Sequence, residues 1–498
     1  MLSKSEPDEM LSYLADASNF GGGHAARVVF PETIEEVAEV LRAASREGLA
    51  VTVSGAGTGV VGGRVPFGGV VLATDKLNRI KQIEMEGQGG RATLEAGVSL
   101  ADFRRAVESR GLLYPPDPTE WSCYMGGTVA TNASGARTFK YGPTRRYIRR
   151  LKLVLPTGEA LALARGEIFA EADGRLRLPL ASGQCIEAQL PSYRMPQTRK
   201  HAAGYYVAPG MDAIDLFIGS EGTLGVIFEI EVALLPQPAG VLSGVVFFTD
   251  EAKLLAFVSA ARAASLATRA VNRRGAIDAR ALEFFDGEAL RFLGEKYPRI
   301  PAQAAGAIFF EQETEAETEA QLMDAWLALL EEHDAALDAS WFATEARDQA
   351  RLSEFRHQLP VLVNEWITRH GQRKVSTDMC VPDEAFAAML KFYQETLRSS
   401  RLQHVIFGHI GDNHVHVNIL PRDDAEAARA RDLYRQFIQR AVTLGGTISA
   451  EHGVGKLKRD YLRELYGDEH LRQMAALKRA FDPACILGRG NIFSEELL

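Results

Sequence analysis

The sequence lacks the cysteine spacings that hold iron–sulfur clusters or structural zinc. Its four cysteines, Cys123, Cys185, Cys380 and Cys485, are scattered, and no two of them form a C-x-x-C pair. Their arrangement excludes the usual iron–sulfur and zinc-ribbon motifs, and it is typical of a protein in a reducing compartment.

Long hydrophobic runs and an excess of positive charge are also missing. The pattern shows no apolar run of membrane-spanning length, and the acidic start MLSKSEPDEM lacks the apolar core of a secretory signal. A net charge of −9 argues against a nucleic-acid partner and gives no support for binding to an anionic membrane surface. We therefore expect a cytoplasmic protein, with peripheral attachment to the inner membrane through a partner left open.

The length of 498 residues is too great for one hydrophobic core, so two or three domains are expected. Residues 1–25 read as a lead-in, and residues 26–238 as a domain of short strands and glycine- or proline-rich loops. The pattern changes near residue 238. Strands and helices then alternate through residues 239–440, with helical patterns at 250–270 and 313–333, and residues 441–498 close the chain. The alternation predicts an α+β fold.

A glycine-rich loop follows a predicted strand near the start of the first domain. Strand 50–53 leads into the loop 54–59, and Gly62 and Gly63 follow closely. Glycines let backbone N–H groups converge on an anion, which side chains would block. No clear helix follows and no obvious acidic ribose ligand stands about twenty residues on, so this is not the Rossmann fingerprint. Taken alone, the loop could bind a phosphate or simply form a tight turn.

Three further segments have the same character. They are a rigid turn at 114–119, a loop of small residues at 126–135 and another glycine-rich loop at 219–227. Short strands flank these loops, and small residues allow close backbone approach. Together with the first loop they predict one long ligand that contains a pyrophosphate and a flat ring.

The segment 405–420 reads as two apolar strands joined by a turn. In the second strand, His414, His416 and Asn418 alternate with apolar residues and therefore share one face, and His409 closes the first strand. Burying imidazoles and an amide together is costly unless they bind something. A divalent metal or an anionic substrate would offset that cost.

Taken jointly, these motifs resemble those of a known flavoprotein family. The segments G-x-G-T-G (55–59), P-P-D-P (115–118), G-G-x-V-A-T-N (126–132) and G-S-E-G-T-L-G (219–225) are similar to the FAD-binding domain of the vanillyl-alcohol oxidase/p-cresol methylhydroxylase (PCMH) type. More narrowly, the chain resembles the branch that holds D-lactate dehydrogenase, D-2-hydroxyglutarate dehydrogenase and the glycolate oxidase D subunit. The resemblance implies a PCMH-type FAD-binding domain of two subdomains at 26–238. It also implies an α+β, ferredoxin-like cap or substrate domain at 239–440, and a segment 441–498 that completes the active site.

The resemblance also implies which residues hold FAD. The expected cofactor-binding residues are Ser54, Gly55, Ala56, Gly57, Thr58, Gly59, Gly62, Gly63, Pro116, Asp117, Pro118, Thr119, Gly126, Gly127, Thr128, Ala130, Thr131, Asn132, Ser134, Glu221, Gly222, Gly225, Val226 and Asn491. Some members of the wider superfamily attach the flavin through a histidine in the glycine-rich loop. No histidine lies between Val51 and Gly63, so non-covalent FAD is expected. Ala56 replaces a usual glycine and Thr128 a usual asparagine.

For the reactive half, the resemblance extends to a second signature, S-A-E-H-G-V-G-K at 449–456. It implies a divalent metal, zinc or manganese, held by His409, His416 and Glu451. His452 would be the general base. The substrate contacts implied are Asn418, Arg356 and Lys374. Asn413 and His414 depart from the usual glycine and asparagine of the hairpin, and 488–491 departs from the usual Pro-Gly-Lys stretch.

These features lead us to expect an FAD-dependent dehydrogenase that oxidises a small D-2-hydroxy acid by hydride transfer to flavin N5. Two alternatives stay open: a redox-neutral flavoenzyme of the alkylglycerone-phosphate synthase type, and a non-catalytic FAD-binding subunit of a larger oxidase. The chain carries no haem motif or cysteine cluster, so electrons would leave to a protein, a quinone or oxygen. A homodimer and a subunit of an oxidase complex are both compatible with the sequence.

Overall fold

The computed structural model describes all residues, 1–498. The strands are, in chain order, β1 (Leu2–Lys4), β2 (Arg27–Phe30), β3 (Val51–Ser54), β4 (Val70–Ala73), β5 (Ile80–Glu86), β6 (Gly89–Glu95), β7 (Leu112–Leu113), β8 (Ile148–Val154), β9 (Ala160–Ala164), β10 (Arg175–Pro179), β11 (Cys185–Gln189), β12 (Val226–Pro236), β13 (Gly240–Phe248), β14 (Ala279–Asp286), β15 (Gly306–Thr314), β16 (Trp341–Ala343), β17 (Val375–Ser376), β18 (His404–Gly408) and β19 (His416–Ile419). The helices are α1 (Pro7–Met10), α2 (Ile34–Glu47), α3 (Leu100–Glu108), α4 (Met125–Ala130), α5 (Thr138–Tyr141), α6 (Ile214–Phe217), α7 (Glu251–Val271), α8 (Gly287–Gly294), α9 (Glu319–Glu332), α10 (Ala346–Arg369), α11 (Phe386–Ser400), α12 (Asp424–Thr443) and α13 (Arg459–Phe481).

The first sheet is small and mixed. Its order is β1-β2-β4-β3, with β2, β3 and β4 parallel and β1 antiparallel to β2. Helix α2 begins at Ile34 because Thr33 caps it: the Thr33 hydroxyl accepts a hydrogen bond of 3.2 Å from the Glu36 N–H. The carboxyl end of β3 opens directly into the glycine-rich loop, which places that loop at the sheet edge.

The second sheet is antiparallel and has the order β5-β6-β12-β8-β9, with β7 paired to the far end of β12. Its long central strand β12 pairs with β6 on one side and β8 on the other. The loop 219–225 runs into β12, and α4 packs against that strand. This sheet therefore positions two of the three small-residue loops that the sequence singles out.

The third sheet is wholly antiparallel, with seven strands in the order β16-β13-β15-β14-β18-β19-β17. Successive residues of β13 point to opposite faces. Val246 and Phe248 pack in the cluster that contains α7 and α9, whereas Val245 and Phe247 pack with α8 and α10. The segment 405–420, called the histidine hairpin below, forms strands β18 and β19 near one edge of this sheet.

Strand β12, which ends at Pro236, belongs to the second sheet, and β13, which starts at Gly240, belongs to the third. The sequence pattern changes at the same place. The carboxyl-terminal segment returns to the first sheet, where the Ile486 carbonyl accepts from the Val51 N–H at 2.8 Å. The chain's first residues belong to that sheet through β1, so they are more than the lead-in that the sequence suggested. The domain limits 26–238, 239–440 and 441–498 stay predictions.

One expectation about hydrophobic runs is wrong. Helix α7 is long and apolar enough to cross a membrane by length and composition, with a mean hydropathy of 1.3 in its most apolar window. Its buried face includes Leu254, Phe257 and Ala261, which pack against the seven-stranded sheet. About a third of that window, 33 %, is buried inside the molecule.

Candidate active site

A deep cleft lies where the three small-residue loops meet. It encloses about 1560 Å³ of empty space, including its open mouth. The glycine-rich loop after β3 forms one wall, α4 and the residues around it form a second, and the loop before β12 forms a third. Glycines in all three walls allow a ligand to approach the backbone closely.

Most of the expected cofactor residues line this cleft. They are Gly55, Ala56, Gly57, Thr58, Gly59, Gly63, Pro118, Thr119, Gly126, Gly127, Thr128, Ala130, Thr131, Ser134, Glu221, Gly222 and Gly225. The remaining expected residues do not line it. They are Ser54, Gly62, Pro116, Asp117, Asn132, Val226 and Asn491.

Three of the residues that do not line the cleft support the segments that form its wall. Asp117 is buried and pairs with Arg104 at 2.5 Å. The Asn132 side-chain oxygen accepts from the Arg145 N–H at 2.9 Å. The Asn491 amide donates to the Gly63 carbonyl at 2.9 Å, which fixes the end of the glycine-rich loop. Motif spacing alone does not separate residues that face a ligand from those that support the facing ones.

The sequence reasoning missed several lining residues. These are Val53, Val60, Val61, Arg64, Thr74, Ala96, Glu120, Cys123, Tyr124, Ala133 and Ile227. Most are apolar or small and carry no chemical signal. Arg64 is different, because a charged residue that directly follows Gly62 and Gly63 could have been recognised as a candidate.

The histidine hairpin brings a group of potential metal ligands together. One donor atom from each of His409, His414, His416 and Glu451 lies within 4.8 Å of the others. The His409 and His416 Nε2 atoms are 3.3 and 3.8 Å from the Glu451 Oε2. The structure thus unites the three expected ligands, although Glu451 is far from the histidines in sequence.

The outer nitrogens of these rings are fixed by other groups. The His409 Nδ1 lies 2.7 Å from the Glu283 carboxylate, and the His416 Nδ1 lies 2.9 Å from the Thr377 carbonyl. Such partners orient a histidine and leave its Nε2 free for a metal. Burial lowers the pKa of His416 to about 4, so its ring is neutral at pH 7. Burial opposes the protonation of His409, but the Glu283 and Glu451 carboxylates raise its pKa to about 9.

His414 is an additional member of the cluster. A single histidine in a strand is more often a hydrogen-bonded structural residue than a ligand, yet neither ring nitrogen of His414 makes a hydrogen bond of normal geometry. Its Nε2 lies 3.3 Å from Asp378, and burial lowers its pKa to about 4. A neutral, buried imidazole without a proper partner fits a ligand role. Its position on the same strand face as His416 was the available signal.

The donor set therefore fits a divalent cation. Imidazoles and one carboxylate are ligands that zinc and manganese accept. Burial opposes ionisation of Glu451, but His409 and Lys200 hold the pKa of this carboxyl well below its usual range. Its ionised Oε2 faces the histidines, which is what metal coordination requires.

Two residues hold the other oxygen of that carboxylate. The Ser134 hydroxyl donates to Glu451 Oε1 at 3.0 Å, and the Lys200 ammonium donates to it at 2.6 Å. Lys200 is fully buried and also lies 3.2 Å from Asp412. Nothing local to Lys200 in the sequence indicates this role, because its partner is 251 residues away.

His452 lies beside the cluster and lines the cleft together with Glu451. Its ring stacks on that of His416, with centroids 5.6 Å apart and planes 7° from parallel. Its backbone N–H donates to Asp378 at 3.1 Å, and its Nδ1 lies 3.5 Å from the same carboxylate. Burial lowers the pKa of His452, although Asp378 opposes this shift. The neutral ring can accept a proton.

The three expected substrate contacts occupy different surroundings. The Arg356 side chain is 10 % exposed and donates to Glu283 at 3.1 Å, so it is linked to His409 through one carboxylate. Asn418 is 1 % exposed and lies two residues after His416 on the same face of β19. Lys374 is exposed, precedes β17 and has no ion pair or hydrogen bond. The structure does not bring Lys374 to the cluster.

Comparisons with known proteins identify the class and the family. One family model, described as "FAD binding domain", matches residues 25–164, and another, "FAD linked oxidases, C-terminal domain", matches residues 249–492. The fold and the cleft are those of an FAD-binding flavoprotein of the PCMH type. The chain belongs to the family of FAD-linked oxidases and is an FAD-linked oxidoreductase.

Related proteins match over nearly their whole length. The chain is 30 % identical to the glycolate oxidase subunit GlcD of Bacillus subtilis (strain 168), over 98 % of this chain and 97 % of that protein. It is 30 % identical to a D-lactate dehydrogenase of Anaerostipes hadrus, over 95 % and 90 %. It is 28 % identical to a D-2-hydroxyglutarate dehydrogenase of Xanthomonas citri pv. viticola, over 98 % and 94 %. An alkyldihydroxyacetonephosphate synthase structure superposes with a TM-score of 0.66 at 15 % identity, over 98 % of this chain and 82 % of that one, which shows the shared fold.

Proposed function

We propose that the protein oxidises small D-2-hydroxy acids, of the glycolate, D-lactate or D-2-hydroxyglutarate class, to 2-oxo acids. FAD binds non-covalently in the cleft, and His409, His416 and Glu451 hold zinc or manganese. One observation carries the proposal: Glu451 belongs both to the histidine cluster and to the wall of the FAD cleft. The hydroxy-acid names of three relatives support the substrate class.

The residues of this chain have separate tasks in the proposed reaction. FAD, when bound, supplies the acceptor for two electrons, and the cation supplies Lewis acidity toward the substrate hydroxyl. His452 accepts the hydroxyl proton, and its Nε2 is the available atom because Nδ1 faces Asp378. Burial keeps this ring neutral before it takes the proton.

The substrate carboxylate needs a cation and a hydrogen-bond donor. Arg356 supplies the cation, because its Nη2 makes no hydrogen bond, whereas Nε donates to Glu283 and Nη1 lies 3.3 Å from His357 Nε2. Asn418 donates its amide N–H from the face of β19 that also carries His416.

The direct experiment follows the bleaching of the bound flavin without oxygen, across a panel of D- and L-2-hydroxy acids. We expect a D-2-hydroxy acid to bleach the wild-type flavin, and His452→Ala to slow that step by about a hundredfold or more. The matched control is His404→Ala, since His404 lies in the same hairpin but bonds only to the Leu402 carbonyl. Failure of every 2-hydroxy acid to bleach an FAD- and metal-loaded protein would reject the proposal. A normal rate in His452→Ala would remove His452 from it.

The remaining partners are part of the same proposal. Reduced flavin passes its electrons to an external acceptor, which is a protein, a quinone or oxygen. We place the protein in the cytoplasm, with peripheral attachment to the inner membrane as the alternative, acting as a homodimer or as a subunit of an oxidase complex. The name of the Bacillus subtilis relative, an oxidase subunit, supports the last arrangement.

A further inference from the structure

The FAD cleft contains a single strongly basic side chain. Among its lining residues Arg64 is the one lysine or arginine, whereas Glu120, Glu221 and Glu451 are acidic. FAD carries a diphosphate with two negative charges. Of these three acidic residues, Glu451 is paired with Lys200 at 2.6 Å and burial raises the pKa of Glu221 to about 7, so Arg64 is the lining charge that can balance a diphosphate. The position of Arg64 in this wall therefore has a direct electrostatic consequence for FAD.

The guanidinium of Arg64 has only neutral partners within hydrogen-bond distance. Its Nε donates to the Ala15 carbonyl at 3.0 Å, its Nη1 to the Gly55 carbonyl at 2.5 Å, and its Nη2 to the Ser12 carbonyl. No carboxylate forms an ion pair with it. Burial lowers the pKa of Arg64, and the charges of Asp16 and Asp75 act only from farther away. Its charge is thus available to an anion in the cleft.

The guanidinium also lies directly against the glycine-rich loop. Gly57 has a φ of +82°, and a Cβ there would come within 2.5 Å of the Arg64 Cζ. The Ala17 N–H donates to the Gly57 carbonyl at 3.0 Å, which adds a second link between the loop and the amino-terminal segment. The loop whose backbone can bind a diphosphate is therefore the loop that Arg64 touches.

We propose that Arg64 is the counter-cation for the FAD diphosphate and that, through it, residues 12–17 form part of the FAD site. This assigns a binding role to a residue and a segment that the sequence motifs do not single out. The inference depends on FAD binding alone and not on the proposed hydroxy acid. A failure of the substrate proposal leaves it unaffected, and the reverse also holds.

The test is a titration of FAD into the flavin-free full-length protein, followed by the change in flavin fluorescence. We expect Arg64→Gln, which keeps hydrogen-bond donors but loses the charge, to weaken FAD binding by about tenfold or more. Arg64→Lys keeps the charge and stays within about threefold of the wild type. Arg42→Gln is the matched control, because Arg42 also donates to a backbone carbonyl, that of Gly158, but lies outside the cleft.

The melting temperature of the flavin-free protein separates charge from folding. We expect Arg64→Gln to melt within about 2 °C of the wild type without FAD and to gain less stability than the wild type when FAD is added. Unchanged FAD affinity in Arg64→Gln would overturn the proposal. So would an Arg64→Lys protein that binds as weakly as Arg64→Gln, or a flavin-free Arg64→Gln protein that has already lost its stability.

Discussion

Asp378 organises the reactive half of the molecule although it is not a proposed ligand. It is fully buried and accepts hydrogen bonds from the Ser449 hydroxyl at 2.6 Å, the Lys458 ammonium at 2.6 Å and the His452 N–H at 3.1 Å. Burial alone would raise the pKa of Asp378, but His452 and Lys458 hold it well below its usual range. One ionised carboxylate thus fixes the loop that carries Glu451 and His452.

Replacing Asp378 with asparagine should therefore destabilise the protein and disturb the site. The Lys458 ammonium would remain buried without its counter-charge, which costs about 3 kcal/mol or more. Urea unfolding monitored by circular dichroism measures the change. Asp432→Asn serves as the control, since the Asp432–Arg435 pair is exposed and should be worth less than about 1 kcal/mol. Equal stability of Asp378→Asn and the control would contradict this role for Asp378.

The metal proposal is tested at the residue scale by His416→Ala. We expect metal affinity to fall by at least about a hundredfold, since even outer-shell partners are worth about tenfold to a hundredfold. Metal content after dialysis against a zinc or manganese buffer measures the effect, with His404→Ala as the control in the same hairpin. An unchanged metal content in His416→Ala, or an equal loss in His404→Ala, would count against the ligand set.

Among the helices and strands, the features that sequence patterns predict correctly are those that depend on neighbouring residues. A serine directly before the amphipathic run 100–108 predicts a helix start, and Ser99 does cap α3: its hydroxyl accepts from the Asp102 N–H. The apolar run 70–73 predicts a strand, and β4 has these limits, Val70–Ala73. Alternation in 414–419 correctly placed His416 and Asn418 on one face. Capping and strand periodicity depend on neighbours within a few residues, so one sequence suffices to read them.

Long-range contacts could not be read in the same way. The Lys200–Glu451 and Arg64–Ser12 contacts join residues that are distant in the chain and follow no spacing rule. Because such contacts follow no spacing rule, the sequence alone favours a structural role for His414 and a lead-in for residues 1–25. The identity of the ligand candidates was predictable from motif resemblance, but the groups that orient them were not.

Helix α13 is joined to the segment between β11 and α6 by His201, a histidine that titrates on acidification. The His201 Nε2 lies 3.2 Å from the Tyr466 hydroxyl, its Nδ1 has no partner, and burial lowers its pKa to about 4. Since the folded-state pKa lies below the ordinary value of about 6.5, His201 must be neutral in the folded protein. The stability that depends on this neutral ring is complete above about pH 6.5 and is lost as pH falls toward about 4.

We expect His201→Gln to lack this component of the pH dependence. Between about pH 7 and pH 4.5, the wild type should lose on the order of 2 kcal/mol more unfolding free energy than His201→Gln loses. Denaturant unfolding at several pH values measures the difference, and His370→Gln, at an exposed histidine, is the control. Parallel pH profiles for the wild type and His201→Gln would show that His201 does not titrate as described.

At the scale of the whole molecule, the carboxyl-terminal segment joins the FAD cleft to the metal cluster. Glu221 in the cleft wall has a φ of +52°, and its carboxylate accepts from the Val454 and Gly455 N–H groups, both at 2.7 Å. The same segment contributes Glu451 and His452, and its end hydrogen-bonds to β3 through Val51. The flavin site and the proposed metal site are therefore parts of one continuous site, because the same carboxyl-terminal segment contributes to both.

The central proposal is that FAD and the metal act together in the oxidation of one substrate. The most direct test removes the metal with a chelator, leaves FAD bound, and records flavin absorbance without oxygen after adding the D-2-hydroxy acid that bleaches the untreated protein. We predict that the stripped protein keeps its oxidised flavin spectrum, and that added zinc or manganese restores bleaching. Bleaching of the stripped protein at the untreated rate would contradict the account.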